Sequence, residues 1–167
     1  PMSARRQRQM CIRDRCTSSI EELAEGTFQP AIAEIDKLDA KKVKRVVFCS
    51  GKVYFDLLEQ RRNNEQEDVA IVRIEQLYPF PLEEVKAAIE QYTNVEDFVW
   101  CQEEPQNQGA WYSSQHNFRA AIPAGADLKY AGRPASASPA VGYMSVHLKQ
   151  QKALVEDALT VNTKASD

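Results

Sequence analysis

The sequence predicts an α/β fold of three layers, with a mainly parallel sheet covered on both faces by helices. Three observations predict it. Short runs rich in β-branched and aromatic residues recur along the chain, at residues 44–49, 69–77, 98–102 and 127–131. Between them and after the last lie segments whose apolar residues return at the three-to-four spacing of an amphipathic helix. Strands that alternate with helices are joined by right-handed crossovers, which align the strands in one direction and put helices on both faces of the sheet.

The first sixteen residues stand outside this pattern. From Arg5 to Arg15 the string RRQRQMCIRDR is basic and aperiodic. It resembles translated adapter sequence, and the other readings are a basic arm for an acidic partner or a targeting segment. Residues 17–43 read as a helix and connector leading from an upstream domain. Serine at the start and Glu21 and Glu22 in the first turn suit a short helix over 18–24, which Gly26 ends. Phe28, Ile32, Ile35 and Leu38 then recur among acids and lysines, as in an extended connector or short strand.

Residues 44–162 form the predicted domain. The run KRVVFC at 44–49 is the first strand of the alternating series, and Ser50 is placed to cap a helix with Val53, Leu57 and Leu58 inward and Arg61 and Arg62 at its close. Residues 69–77 are the next strand. Pro79 and Pro81 bracket a turn, and Pro81 suits the first turn of a helix carrying Leu82, Val85, Ile89 and Tyr92. Residues 98–102 give a third strand, 109–121 a third helix and 127–131 a fourth strand. A long final helix over 144–159 is expected to face inward with Met144, Leu148, Val155 and Leu159.

Composition excludes several classes of function. The 167 residues suffice for one domain with a core. A net charge of −3 offers no basic surface for nucleic acid. No apolar run approaches the roughly 20 residues that span a bilayer. Cys11, Cys16, Cys49 and Cys101 show no metal-ligand spacing, and the last two sit in apolar strands as small hydrophobes, which fits a reducing compartment.

The densest polar motif is EEPQNQGAW at residues 103–111. Pro105 and Gly109 suit a turn, and Gln106, Asn107 and Gln108 offer amides to a neighbouring backbone. Trp111 follows the turn and reads as an interface anchor. Glu103 and Glu104 are adjacent on a strand end and point to opposite faces, so only one can face a common site. In a parallel sheet the strand ends share one edge, which gathers Ser50, Gly51 and Lys52, Glu75 and Gln76, Glu103 and Glu104, and Arg133. There Arg133 could fasten loops by pairing with Glu103 or Glu104, or meet a ligand. Ser50-Gly51-Lys52 likewise reads as a capped turn with an exposed lysine, or as a seat for a phosphate-bearing effector. Neither nucleotide fingerprint, G-x-x-x-x-G-K-[ST] or G-x-G-x-x-G, occurs. His116 and His147 lack a nucleophile at a recognisable spacing, so no catalytic residue and no metal ligand is expected.

The strings VAIVRIEQLYPFP, EEPQNQGAW and YAGRPASASPAVGY together resemble the C-terminal domain of the thiamine-diphosphate-dependent 2-oxoglutarate dehydrogenases. The likeness runs from Ser18 to the final helix. It implies a domain of the transketolase C-terminal type that packs on cofactor-binding domains and on the partner subunit of a homodimer. It also implies a parent enzyme that decarboxylates 2-oxoglutarate and hands a succinyl group to the lipoyl arm of dihydrolipoyl succinyltransferase. Thiamine diphosphate and magnesium would be held outside this chain, because the G-D-G signature with its paired asparagines is not found here and Asn63-Asn64 has no such partner. The chain alone is then structural and dimerising. The alternative is a regulatory domain taking acetyl-CoA or a nucleotide at Ser50, Gly51, Lys52 and Arg133, in the same enzyme or in the related 2-oxoadipate dehydrogenase. The implied location is the cytoplasm of a bacterium or the mitochondrial matrix of a eukaryote.

Overall fold

The computed structural model describes residues 16–95 and 97–161. The reading of the basic leader falls outside them except at its last residue. A five-stranded sheet has the order β1-β3-β2-β4-β5. Its strands are β1 (Ala31–Ile32), β2 (Arg45–Cys49), β3 (Val69–Ile74), β4 (Asp97–Pro105) and β5 (Asp127–Arg133). β2 through β5 pair in parallel, and β1 adds an antiparallel edge to β3. The helices are α1 (Ile20–Glu25), α2 (Val53–Asn63), α3 (Leu82–Ile89), α4 (Trp111–Ala121) and α5 (Met144–Leu159).

Every residue of β2 is buried, because alternate side chains enter two different cores. Val46 and Phe48 meet residues of α3 and α4, where Phe48, Trp100, Phe80 and Phe118 form a chain of aromatic contacts. Val47 and Cys49 meet Leu57 of α2 and Leu154, Val155 and Ala158 of α5 on the other face. This is the expected three-layer α/β architecture.

Two buried arginines fasten segments that local pattern leaves unconnected. Arg45, only 2% exposed, forms a fork to Asp97 with both contacts at 2.8 Å, and its Nη1 donates to the Asp157 and Ala158 carbonyls at 3.0 and 3.1 Å. It thereby supplies a cation and hydrogen bonds to the open carbonyl end of α5. Arg61, in the last turn of α2 as expected, is 1% exposed. It is ion-paired with Glu34 and donates to Asp36 at 2.6 Å and to the Val69 carbonyl at 3.0 Å. Glu34 also accepts the Ile71 N–H at 2.8 Å, so the connector is bound to the body of the domain.

Four local expectations are corrected. Ser50 does not cap α2; the N-cap is Lys52, without a side-chain bond, since Gly51 turns through φ +73° and leaves Ser50 outside the first turn. Pro81 occupies the N-cap of α3 rather than its first turn. β4 runs on through Glu103 and Glu104 to Pro105, past an irregularity in its pairing with β5, so the first third of EEPQNQGAW is strand. The start of α5 faces outward, with Met144 and Leu148 exposed, and only Leu154, Val155, Ala158 and Leu159 are buried.

Candidate functional site

The parallel strands end on a common rim. There Lys52, at the start of α2, donates to Glu103 Oε1 at 2.8 Å and to Asp56 Oδ2 at 3.0 Å. Asp56 Oδ2 also accepts from Gln151 Nε2 at 2.9 Å, and Gln151 Oε1 accepts from Arg133 Nη2 at 3.2 Å. Arg133 Nη2 lies 3.0 Å from His147 Nδ1. One polar chain therefore links β4, α2, α5 and β5. Burial pulls the Lys52 ammonium down, but the hydrogen bonds and charges of Glu103 and Asp56 outweigh it and hold its pKa above the usual lysine value.

Arg133 does not pair with Glu103 or Glu104, contrary to one expectation. Glu103 is taken by Lys52, and Glu104 is exposed, with its backbone carbonyl accepting from Gln102 and Tyr130 at 3.3 Å each. Arg133 is 7% exposed and turns toward α5, where its buried Nε has no hydrogen-bond partner. Glu75 and Gln76 are engaged at the β3 edge, Glu75 with Arg73 Nε at 2.7 Å and Gln76 Nε2 with the Pro79 carbonyl at 2.7 Å. His116 is exposed. Cys49 and Cys101 lie opposite each other in β2 and β4, and burial pushes both thiols up, which keeps them protonated and inert.

The polar motif is organised from within by a residue that local pattern does not single out. Gln102 is 3% exposed. Its Oε1 accepts from Trp100 Nε1 at 2.8 Å and from the Trp111 backbone N–H at 3.1 Å, while its Nε2 donates to the Pro105 and Gln108 carbonyls at 3.1 and 2.8 Å. All four of its strongest directions are thus used inside the chain. The sole sequence signal is an amide at the end of an apolar run. Gly109 sits at φ +66°, and a methyl group there would meet the Gln102 amide at 2.9 to 3.1 Å.

The motif's own amides also turn inward on the chain. Asn107 exchanges two bonds with the backbone of Ser136, at 2.9 and 3.0 Å, and Gln108 Nε2 donates to the Ser136 carbonyl at 3.1 Å. The Gln106 backbone N–H donates to the Arg133 carbonyl at 3.0 Å. These contacts tie the turn to the loop after β5. Trp111 is no exposed anchor: it is 7% exposed, with its ring 5.3 Å from that of Tyr130. Burial pushes the Tyr130 hydroxyl up to about 12, and it donates to the Arg133 carbonyl at 3.0 Å. Trp111 is buried because α4 folds back on β5, a packing that the exposed turn before it does not reveal.

Among the described residues no group of three or more His, Cys, Asp and Glu side chains is arranged to hold a metal ion, and the rim carboxylates Glu103 and Asp56 are joined to Lys52. Among the described residues no helix is long and apolar enough to cross a membrane.

Comparison with known proteins agrees with this architecture. A solved chain described as "Split gene transketolase, inactive beta4 tetramer" aligns with 81% of this chain and 45% of its own at a TM-score of 0.52, with 15% identity, which speaks for the fold alone. A relative named 2-oxoglutarate dehydrogenase E1 component from Haemophilus influenzae is 73% identical over 143 residues, covering 86% of this chain and 15% of its own. One of the same name from Azotobacter vinelandii is 57% identical over 147 residues, covering 86% and 16%. The oxoglutarate dehydrogenase of Buchnera aphidicola is 50% identical over 145, covering 87% and 16%. The chain thus spans about a sixth of the length of these relatives. The sequence pattern of the family described as "2-oxoglutarate dehydrogenase C-terminal" matches residues 17–159, and the chain belongs to that family.

Proposed function

We propose that this chain is the C-terminal part of a 2-oxoglutarate dehydrogenase that decarboxylates 2-oxoglutarate oxidatively and transfers a succinyl group to lipoyl groups. The observation that carries this reading is the 73% identity over 143 residues to a relative named for that activity. In the parent, thiamine diphosphate supplies the carbanion chemistry of decarboxylation when bound. Together with magnesium it belongs to regions outside this chain. The domain's own work is structural and dimerising: Lys52, Glu103 and Asp56 tie α2 to β4, and Asn107, Gln108 and Ser136 hold the rim loops in place. Its partners are the rest of the decarboxylase, a second subunit and the dihydrolipoyl succinyltransferase core, in a bacterial cytoplasm.

A chimera tests this reading, in which residues 17–161 replace the matching part of a full-length relative. It should turn over 2-oxoglutarate with thiamine diphosphate and magnesium, whereas the isolated chain should not. A chimera that prefers 2-oxoadipate, or a folded chimera without activity, would sink the assignment.

One observation favours a second reading of the rim. Arg133 carries a buried, unpartnered Nε, and α2 opens at Lys52 without a side-chain cap, a pairing of features that suits an anionic effector such as acetyl-CoA or a nucleotide. Calorimetric titration with acetyl-CoA and with AMP separates the two. Saturable heat that Lys52→Ala and Arg133→Lys both abolish would establish an effector site at Ser50, Gly51, Lys52 and Arg133, and no heat with either compound would leave the rim purely structural.

A further inference from the structure

The segment from α1 to Asp36 is attached to the domain at its far end and open at its near end. Glu34 and Asp36 are locked to Arg61, yet α1 buries none of its residues. Ile20 and Leu23 are 80% and 75% exposed, and beyond them Phe28 and Ile35 are 68% and 55% exposed. A helix of six residues is far too short to hold itself in water. Its capping box, with Ser19 N–H to Glu22 at 2.7 Å and Glu22 N–H to Ser19 at 3.1 Å, orders the first turn without burying any apolar surface.

Behind this arm runs an open groove of about 1020 Å³. Leu23, Phe28 and Ile35 line one wall, Phe55 and Leu58 of α2 the other, and Arg73 stands among them. Apolar patches of this kind mark contact surfaces. Two observations say what covers it. The relatives are about six times as long as the stretch they share with this chain, and the family is defined by its C-terminal position, so in them a long polypeptide precedes the residue aligned with Thr17. The arm also carries Glu21, Glu22 and Glu25, so the matching surface is apolar with a basic rim.

We propose that the arm and its groove are the seat of the polypeptide that precedes this domain in the parent enzyme, whose apolar, basic-rimmed surface closes over Leu23 and Phe28. The inference rests on the reading of this chain as part of that longer enzyme. The second exposed apolar patch, Tyr143, Met144 and Leu148 at the start of α5, belongs to a helix packed on β4 and β5, whereas the arm adjoins β1 at the opposite sheet edge. It serves as the control surface.

The test is amide hydrogen exchange of residues 20–25 in the free chain and in the full-length chimera. Exchange should be at least tenfold slower in the chimera. Leu23→Asp with Phe28→Asp should restore the fast exchange of the free chain, and because both residues are exposed the free chain should melt unchanged. Met144→Asp with Leu148→Asp should leave the protection in place. The proposal is overturned if the arm exchanges as fast in the chimera as alone, if the α5 pair abolishes protection, or if the free chain is already protected in a concentration-dependent way, which would make a second copy the occupant. Turnover of 2-oxoglutarate, followed on the same chimera, keeps the two readings apart: a protected arm in an inactive chimera supports the seat and counts against the enzyme assignment, and the reverse pattern does the opposite.

Discussion

Gln102 and Trp111 are joined by a hydrogen bond from the Trp111 backbone N–H to the Gln102 side-chain oxygen at 3.1 Å, and this bond couples the end of β4 to the first turn of α4. The same oxygen holds the Trp100 indole N–H at 2.8 Å. One buried amide therefore sets the positions of both tryptophans.

Replacing that amide should be costly. Gln102→Leu keeps the approximate size but strands two buried N–H groups and two carbonyls, and each unsatisfied group costs about 1 to 3 kcal/mol. We expect urea unfolding to report a loss of at least ~2 kcal/mol. A loss within 0.5 kcal/mol, the scale of an ordinary surface change, would show that water replaces the lost partners.

Trp111→Ala should unfold or strongly destabilise the isolated chain, by about 3 to 5 kcal/mol as for other large aromatic truncations in cores. The ring is buried against Tyr130, so this cost falls on the domain itself and not on an association step. Unchanged thermal stability of the variant would return Trp111 to the role of interface anchor.

Gly109→Ala combines a backbone conflict at φ +66° with a clash against the Gln102 amide. A loss of about 1 to 2 kcal/mol is expected from the backbone term and its local strain. Chemical denaturation of the pair Gly109→Ala and Gly125→Ala discriminates the two terms, because Gly125 has a similar φ of +86° and nothing within contact of an added methyl. Gly109→Ala should be the worse of the two.

Acid sensitivity should trace to Asp97. Burial would raise its pKa, but hydrogen bonds and charges from Arg45 and Lys129 outweigh that and hold it below the usual carboxylate value. A lowered folded pKa means that the unfolded chain takes up the proton first. The stabilisation is therefore fully present above the unfolded value of about 4 and is lost as the pH falls through the lower folded value. Asp97→Asn should flatten the fall in stability below about pH 4 and destabilise the chain near neutrality, by about 3 kcal/mol, the scale for breaking a buried pair. Melting temperatures of wild type and variant across pH 2 to 7, in steps of about 0.5, check both.

Much of the fold could be read locally because its signals are local. The β-branched runs at 44–49 and 69–77, the three-to-four spacing of Leu82, Val85 and Ile89, and the serines and acids at the start of α1 each declare an element within a few residues, and alternation of strand and helix then dictates a parallel sheet. The rim was legible for the same reason: parallel strands must end together, so Lys52 and Glu103 could be placed near one another before any contact was known. What the sequence alone could not determine was partnership and depth. Arg45 meets Asp97 across 52 positions and Glu34 meets Arg61 across 27, and no periodicity records a pairing at such a distance. Met144 and Leu148 share the helical spacing of a buried stripe, yet whether a stripe is buried depends on what packs over it, and α5 buries apolar side chains only from Leu154 onward. Gln102 shows the same limit: a glutamine after an apolar run declares no burial, and only when α4 folds back on β4 and β5 does its amide become the hub that two tryptophans share.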